Sequence, residues 1–197
     1  EKRNFSFFPP QSSWEISENS EYIHITPNET IGGICLREVQ PERKKIIADY
    51  SSSILSEPID INSFGMVYGG VQKNIGPAGL GFAIIREEMF REAQKITPTI
   101  LNYSSLAESF SMYNTPPTFA WYVSGKVFKW LKGKGGVKAI AQINSRKANK
   151  LYNFIDRSEF YTNNIQEASR SITNVPFVLK KEDLNTKFLS KSFNQGL

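Results

Sequence analysis

A chain of 197 residues suits one domain, or one domain with part of a second, and its 40% hydrophobic and 13% aromatic content supports a packed core and excludes a disordered polymer. The net charge of +5 is scattered. Its clusters at Arg43-Lys44-Lys45 and at Lys126, Lys129, Lys132 and Lys134 read as solvated faces rather than a basic stripe interleaved with aromatics, so nucleic acid is not an expected partner. The lone cysteine, Cys35, excludes an internal disulfide and fits a reducing compartment. The lone histidine, His24, sits in a strand-like run and argues against a metal centre. No stretch reaches the roughly 18 apolar residues of a membrane span, so no membrane partner is expected.

In chain order, residues 1–19 form a polar connector with Trp14 pinned to the body. Glu1-Lys2-Arg3-Asn4 has no apolar leader region behind it and no initiator Met, and both ends read as cuts in a longer polypeptide. Residues 22–26 read as a strand. Pro27-Asn28-Glu29-Thr30-Ile31-Gly32-Gly33 follows as a turn carrying one hydroxyl and several backbone donors. Residues 34–36 are short and extended, with Cys35 as a buried small hydrophobe. Residues 45–49 form a second buried strand that ends on the carboxylate of Asp49. Ser51-Ser52-Ser53 makes a hydroxyl-rich bend, and Asp60 or Asn62 caps a linking turn at 58–64.

Residues 64–68 and 81–85 read as two further strands. They are too rich in Ile, Val and Phe to alternate cleanly, which predicts a sheet buried on both faces. Residues 86–95 read as a helix. Residues 97–115 are a long polar loop with Tyr103, Phe110 and Tyr113, a length that marks function or an interface. Helices are predicted over 118–132 and 137–155, separated by Gly133, Gly135 and Gly136. Their aromatic and aliphatic stripes (Phe119, Tyr122, Val123, Val127, Trp130 and Leu131, then Ile140, Ile143, the Lys147 stem, Leu151, Phe154 and Ile155) read as core. After Arg157 the texture changes to a strand at 175–179 and a helix at 183–193. The fold class is α/β, a mostly parallel central sheet flanked by helices. Residues 1–156 form part of a large domain and residues 157–197 an incomplete small α+β domain.

The chemistry centres on Tyr68-Gly69-Gly70-Val71-Gln72-Lys73-Asn74-Ile75-Gly76-Pro77-Ala78-Gly79-Leu80. Lys73 stands where a strand ends and a glycine-rich bend begins, the place where open α/β sheets bind ligands. Asp49 lies 24 residues earlier, more than the dozen or so that a parallel crossover needs. Both then fall at carboxyl ends of neighbouring strands. A lysine and an aspartate so placed fit pyridoxal phosphate: the amine condenses with the cofactor aldehyde and the carboxylate pairs with its pyridine nitrogen. A desolvated pocket would favour the neutral amine. On spacing alone, a capped surface lysine remains the plainer alternative. A phosphate loop of the Gly-x-x-x-x-Gly-Lys-Ser/Thr type is absent.

The run from Gly69 to Gly79 closely resembles the lysine motif of the phosphoserine aminotransferases, class-V enzymes of the fold-type I pyridoxal phosphate group. So do Ala48-Asp49-Tyr50-Ser51-Ser52-Ser53-Ile54-Leu55-Ser56-Glu57-Pro58-Ile59-Asp60, Pro27 to Gly33, and Ser111-Met112-Tyr113-Asn114-Thr115-Pro116-Pro117-Thr118-Phe119-Ala120-Trp121-Tyr122. The resemblance runs from about Trp14 to the last residue. It implies that Lys73 is the Schiff-base lysine, that Asp49 partners the pyridine nitrogen, and that Thr30 is the hydroxyl beside the cofactor's phenolic oxygen. It also implies that Gln72 contacts the cofactor phosphate, and that Asn114 and Thr115 reach the neighbouring subunit's cofactor phosphate across a homodimer interface. The implied activity is amino transfer between L-glutamate and 3-phosphohydroxypyruvate, giving O-phospho-L-serine and 2-oxoglutarate in the cytoplasm, in serine and also pyridoxine biosynthesis.

Departures limit the resemblance. The family's Gly-Arg pair, its ring-stacking tryptophan and its His-Arg stretch have no match here, and Trp14, Trp121 and Trp130 do not stand at the stacking position. The chain alone is therefore expected not to catalyse transamination. The alternatives are another class-V enzyme, such as an alanine–glyoxylate aminotransferase or a cysteine desulfurase, and a non-catalytic dimerising remnant of the fold. Cys35, in an apolar run, argues against a desulfurase thiol.

Overall fold

The computed structural model describes residues 5–40, 45–90 and 93–197. Residues 1–4, Arg43 and Lys44 lie outside that set, as do positions 91 and 92 of the helix expected over 86–95.

Six strands lie in the first half: β1 (Tyr22–Ile25), β2 (Asn28–Glu29), β3 (Ile34–Cys35), β4 (Lys45–Asp49), β5 (Met66–Gly70) and β6 (Gly81–Ile85). Four of them make the central sheet in the order β1-β4-β5-β6. β1 and β4 are parallel, as are β4 and β5, while β6 returns antiparallel to β5. The mostly parallel sheet of the expected α/β class is therefore present. β2 and β3 form a separate antiparallel hairpin.

The parallel step from β4 to β5 contains no α-helix. It is filled by the serine bend and a 3-10 turn at Ile61–Ser63, where Asp60 accepts from the N–H of Asn62 at 3.0 Å. The bend is tight because Ser53 and Ile54 both donate their N–H groups to the carbonyl of Tyr50.

Side chains alternate across a strand, so each strand sends one set to each face. Ile25, Ile46, Ala48 and Val67 share one face and are buried with Tyr50, Ile54, Phe64, Val71 and Ile75. Burying each large aliphatic there contributes about 1.5–3 kcal/mol. Trp14 packs on the rim of this core, as expected, with its indole N–H donated to the carbonyl of Pro9 at 3.2 Å. The register puts Tyr22, His24, Asp49, Tyr68 and Ala83 on the opposite face. Apart from the buried Met66, that face is half-buried to exposed, and β6 has no buried residue. The expectation of burial on both faces is thus met on one face only within this chain.

Four α-helices follow: α1 (Tyr103–Glu108), α2 (Thr118–Gly133), α3 (Gly136–Asp156) and α4 (Asn185–Asn194). The helix expected over 86–95 is replaced, in its described part, by a 3-10 turn at Glu87–Met89. Arg86 stays extended because its N–H is donated to the carbonyl of Gly65 at 2.9 Å and its Nε–H to the carbonyl of Phe64 at 2.7 Å. The loop expected over 97–115 also differs: it carries a 3-10 turn at Thr99–Leu101 and then α1. Asn102 caps α1 by accepting the N–H of Ser104 at 3.0 Å.

α2 and α3 appear where the periodicity placed them, but their buried stripes differ. α2 buries Ala120 and Ser124, and its aromatics Phe119, Trp121, Tyr122, Phe128 and Trp130 are exposed. α3 buries Ile140, Ala148, Tyr152 and Ile155, whereas Lys147, Leu151 and Phe154 face outward. Small residues let α2 approach the body closely, and the large ones are turned away.

Beyond α3, β7 (Tyr161–Thr162) pairs antiparallel with β8 (Val178–Leu179). β8 and α4 shorten the strand and helix expected at 175–179 and 183–193. Tyr161, Phe160, Phe177 and Phe188 form a ring cluster there, with edge-on and tilted contacts at centroid distances of 4.9–6.2 Å.

Candidate active site

Asp49 is the last residue of β4, and the register sets it opposite Tyr68 of β5. Its Oδ1 accepts the N–H of Ser51 at 2.8 Å, which aims the half-buried carboxylate along the open face of the sheet. Tyr68 stands beside it, and its hydroxyl lies 2.9 Å from Nε2 of His24. Burial first, then the charge of Asp49 and the neighbouring Tyr103, push the Tyr68 phenol above its ordinary pKa. His24 is thus a hydrogen-bond partner of Tyr68.

Three residues beyond β5 the chain reaches Lys73. Its loop is fixed by what flanks it. Val71 and Ile75 are both buried, and the N–H groups of Ile75 and Gly76 converge on the carbonyl of Val71 at 2.9 Å. Asn74 donates its amide to the carbonyl of Ile54 at 2.6 Å, tying the loop to the serine bend. The glycines serve close approach more than unusual dihedrals. A Cβ at Gly69 would stand 2.8 Å from the backbone nitrogen of Ser51, and one at Gly76 would stand 2.6 Å from Oγ of Ser124 on α2.

Lys73 itself is exposed and donates its ammonium to Oγ1 of Thr30 at 2.8 Å. The desolvated pocket expected around it is not formed by the described residues. Thr30 comes from the turn of the β2–β3 hairpin. That turn is closed by the N–H of Gly33, donated to the carbonyl of Glu29 at 3.0 Å. Gly33 has a φ of +71°, and a Cβ there would collide with Pro176.

The structure thus brings Lys73 and Thr30 into direct contact, with Asp49 at the end of the strand adjacent to the one that leads to Lys73. Gln72 precedes Lys73 on the loop surface and is exposed, its side-chain amide folded back against Gly70. Asn114 and Thr115 are exposed on the segment entering α2, and no hydrogen bond among the described residues joins either to Lys73, Thr30 or Asp49.

Three features escaped sequence reasoning. Asn74 and Glu29 sit beside chemically obvious residues but act on the backbone, so their types gave no signal beyond adjacency. The third is a buried amide–hydroxyl network behind Thr30. Asn28 donates to Oγ of Ser52 at 2.8 Å and to Oδ1 of Asn174 at 2.9 Å, and its Oδ1 accepts from Ser171 at 2.5 Å. The partners of Asn28 lie 24 to 146 residues from it, beyond any local pattern.

Residues 5–194 match the family model described as aminotransferase class-V. The chain is 53% identical over 194 residues to a phosphoserine aminotransferase of Hahella chejuensis, covering 98% of this chain and 54% of that protein. Among solved structures, a phosphoserine aminotransferase studied for radiation damage of its Schiff base superposes with a TM-score of 0.92 at 41% identity, over 98% of this chain and 54% of that one. Phosphoserine aminotransferase from Bacillus circulans subsp. alkalophilus gives 0.90 at 39% identity, over 95% and 53%. The chain spans about half the length of these relatives. With the family model matched across nearly its whole length and the fold shared at these TM-scores, the chain belongs to the class-V aminotransferase family.

Proposed function

We propose that this chain is the lysine-bearing half of a phosphoserine aminotransferase that uses pyridoxal 5′-phosphate. The whole enzyme exchanges an amino group between L-glutamate and 3-phosphohydroxypyruvate, giving O-phospho-L-serine and 2-oxoglutarate, a cytoplasmic step toward serine and pyridoxine. The observation that carries the reading is the contact of Lys73 Nζ with Thr30 Oγ1, at the end of the strand that pairs with the strand ending on Asp49.

The donor set fits the cofactor. An amine, a hydroxyl and a half-buried carboxylate gather at one end of the parallel strands, and only one carboxylate oxygen of Asp49 is engaged by a backbone N–H. Lys73 would hold the aldehyde carbon, Asp49 the pyridine nitrogen and Thr30 the phenolic oxygen. Gln72 would hold the phosphate, together with Asn114 and Thr115 of a second copy. When bound, the cofactor supplies an electron sink for the bond broken at the substrate's α-carbon.

The chain's own residues then have separable tasks. Lys73, anchored through Val71 and Ile75, keeps its amine where it can take the α-proton from the substrate. Thr30 restrains that amine. Asp49, oriented by Ser51, keeps a proton on the ring nitrogen. The substrate's phosphate and carboxylate call for arginines, and three of this chain's arginines are otherwise engaged. Arg37 binds Glu57 and the carbonyl of Arg170, Arg86 binds the carbonyls of Asn62 and Phe64, and Arg170 binds Asp156. We propose that these three do not anchor substrate and that other segments of the whole enzyme share that task. We assign residues 1–156 to the large domain and 157–197 to part of the small one.

The test is Lys73→Ala in the full-length protein loaded with pyridoxal phosphate. The visible absorbance of the lysine-bound cofactor should vanish, and borohydride should no longer fix the cofactor to the protein. An unchanged spectrum would refute the assignment.

A further inference from the structure

Thr30 owes its place to the residue before it. Glu29 folds its carboxylate back over the turn: Oε1 accepts the N–H of Ile31 at 3.0 Å and Oε2 accepts the N–H of Gly32. A Cβ at position 32 would stand 2.8 Å from that same Oε2, so the glycine is what admits the carboxylate. The turn is anchored at both ends by other means. Behind it, Asn28 is locked into its buried network. Ahead of it, the carbonyl of Gly33 accepts the N–H of Ser171 at 2.9 Å, and Ile34 bridges to Arg170. Between these anchors, Thr30 and Ile31 bulge outward, and Ile31 is 88% exposed. Packing therefore does not hold the tip of the turn. Among the described residues, the Glu29 carboxylate does so by binding the two N–H groups that follow Thr30.

We infer that Glu29 is a positioning residue of the aminotransferase site: its carboxylate sets the turn that presents the Thr30 hydroxyl to the Lys73 amine. The inference rests on the proposed function for its meaning, while the contact it explains is a matter of geometry. Two backbone N–H groups bound by an anion form a strong local clamp. A freely rocking turn would let Oγ1 leave its 2.8 Å contact with the exposed Lys73 amine. The plainer possibility is that Glu29 stabilises the turn and leaves Lys73 unaffected.

The two are separated by the reactivity of Lys73 in the cofactor-free, full-length protein. It is read as the rate of acetylation at that residue by limiting acetic anhydride, located by mass spectrometry at fixed pH. Thr30→Val should raise the rate about tenfold by freeing the amine from its acceptor. Glu29→Ala should raise it by a similar factor, and Glu29→Gln, which keeps one acceptor oxygen, by a smaller one. The double variant Glu29→Ala with Thr30→Val should match Thr30→Val alone, because Glu29 acts through the hydroxyl. An unchanged Lys73 rate in Glu29→Ala, or additive effects in the double variant, would overturn the inference. Should Glu29→Ala fail to fold, Glu29→Gln decides on the same criteria. Failure here leaves the Lys73→Ala absorbance test intact, and failure there leaves this measurement intact, so the two readings fall separately.

Discussion

Asn28 is 1% exposed and both ends of its amide are used, as are the hydroxyls of Ser52 and Ser171 around it. Removing one member strands buried partners, which costs more than the bond itself contributed. Asn28→Ala should therefore lower unfolding stability by about 2–4 kcal/mol, read from urea midpoints. Ser52→Ala, at a half-buried hydroxyl, should cost less. Cys35 gives a second residue-scale expectation. Burial first, then the charge of Glu57, raise its thiol from 9.0 to about 11, with Arg37 opposing. The folded state thus holds this proton more tightly than the unfolded chain. That stability is fully present below pH 9 and is lost as pH rises through 11, by up to about 3 kcal/mol. Tyr50, raised mainly by its burial, adds to the loss at still higher pH. Cys35→Ala should flatten the first part of the decline, measured by denaturant unfolding between pH 8 and pH 11.

At the scale of elements, one close joint lies between the Lys73 loop and α2. Gly76 faces Ser124, whose Oγ is buried without a hydrogen-bond partner among the described residues. Gly76→Ala should destabilise by about 1–3 kcal/mol through overpacking. Ser124→Ala should be neutral or mildly stabilising, because it removes an unpaired buried hydroxyl, and in the double variant it should relieve part of the Gly76→Ala cost. Thermal and urea unfolding of the four proteins completes the cycle. The same joint shows what the sequence discloses and what it withholds. The central strands were legible as short apolar runs bounded by turn residues, and α2 and α3 by their helical periodicity. Lys73 and Asp49 drew notice by type and place at strand ends, whereas Thr30 was singled out only through the family resemblance, and its contact with Lys73 joins residues 43 positions apart. The inward face of α2 was not, since it is built from Ala120 and Ser124, whereas hydrophobicity alone points to Phe119, Tyr122 and Trp130. The helix expected over 86–95 failed for a related reason. Arg86 is drawn into carbonyls of the preceding strand connection, a long-range bond with no local trace.

For the whole molecule, those outward aromatics are the main open question. Phe119 is 73% exposed, Tyr122 62% and Trp130 56%, next to a segment with Phe110 at 88%. Patches of that kind mark interfaces. Continuity with Asn114 and Thr115 supports the proposed homodimer, in which each copy completes the other's cofactor site. Sedimentation of the full-length enzyme should give a dimer, and Tyr122→Glu should shift it toward monomer and weaken cofactor retention in parallel. The 197-residue chain alone should show no steady turnover of phosphoserine with 2-oxoglutarate, because Lys73 is exposed and the proposed site needs a second copy and further segments to orient the substrate.

The network that backs Thr30 also sets a timetable. Every strand of the central sheet is complete by Ile85, but the partners of Asn28 include Ser171 and Asn174. At about 5–20 residues per second, a ribosome takes roughly 5–20 s to cover that interval. Through that time the nascent chain can own a finished sheet, a seated lysine loop and a correctly placed Asp49, yet lack the bolt that holds the Thr30 hairpin against the body. A chain halted before residue 174 should therefore protect β4 and β5 from hydrogen exchange while leaving the hairpin open. Of the groups this chain would bring to the proposed site, the hydroxyl would be seated last, after the lysine.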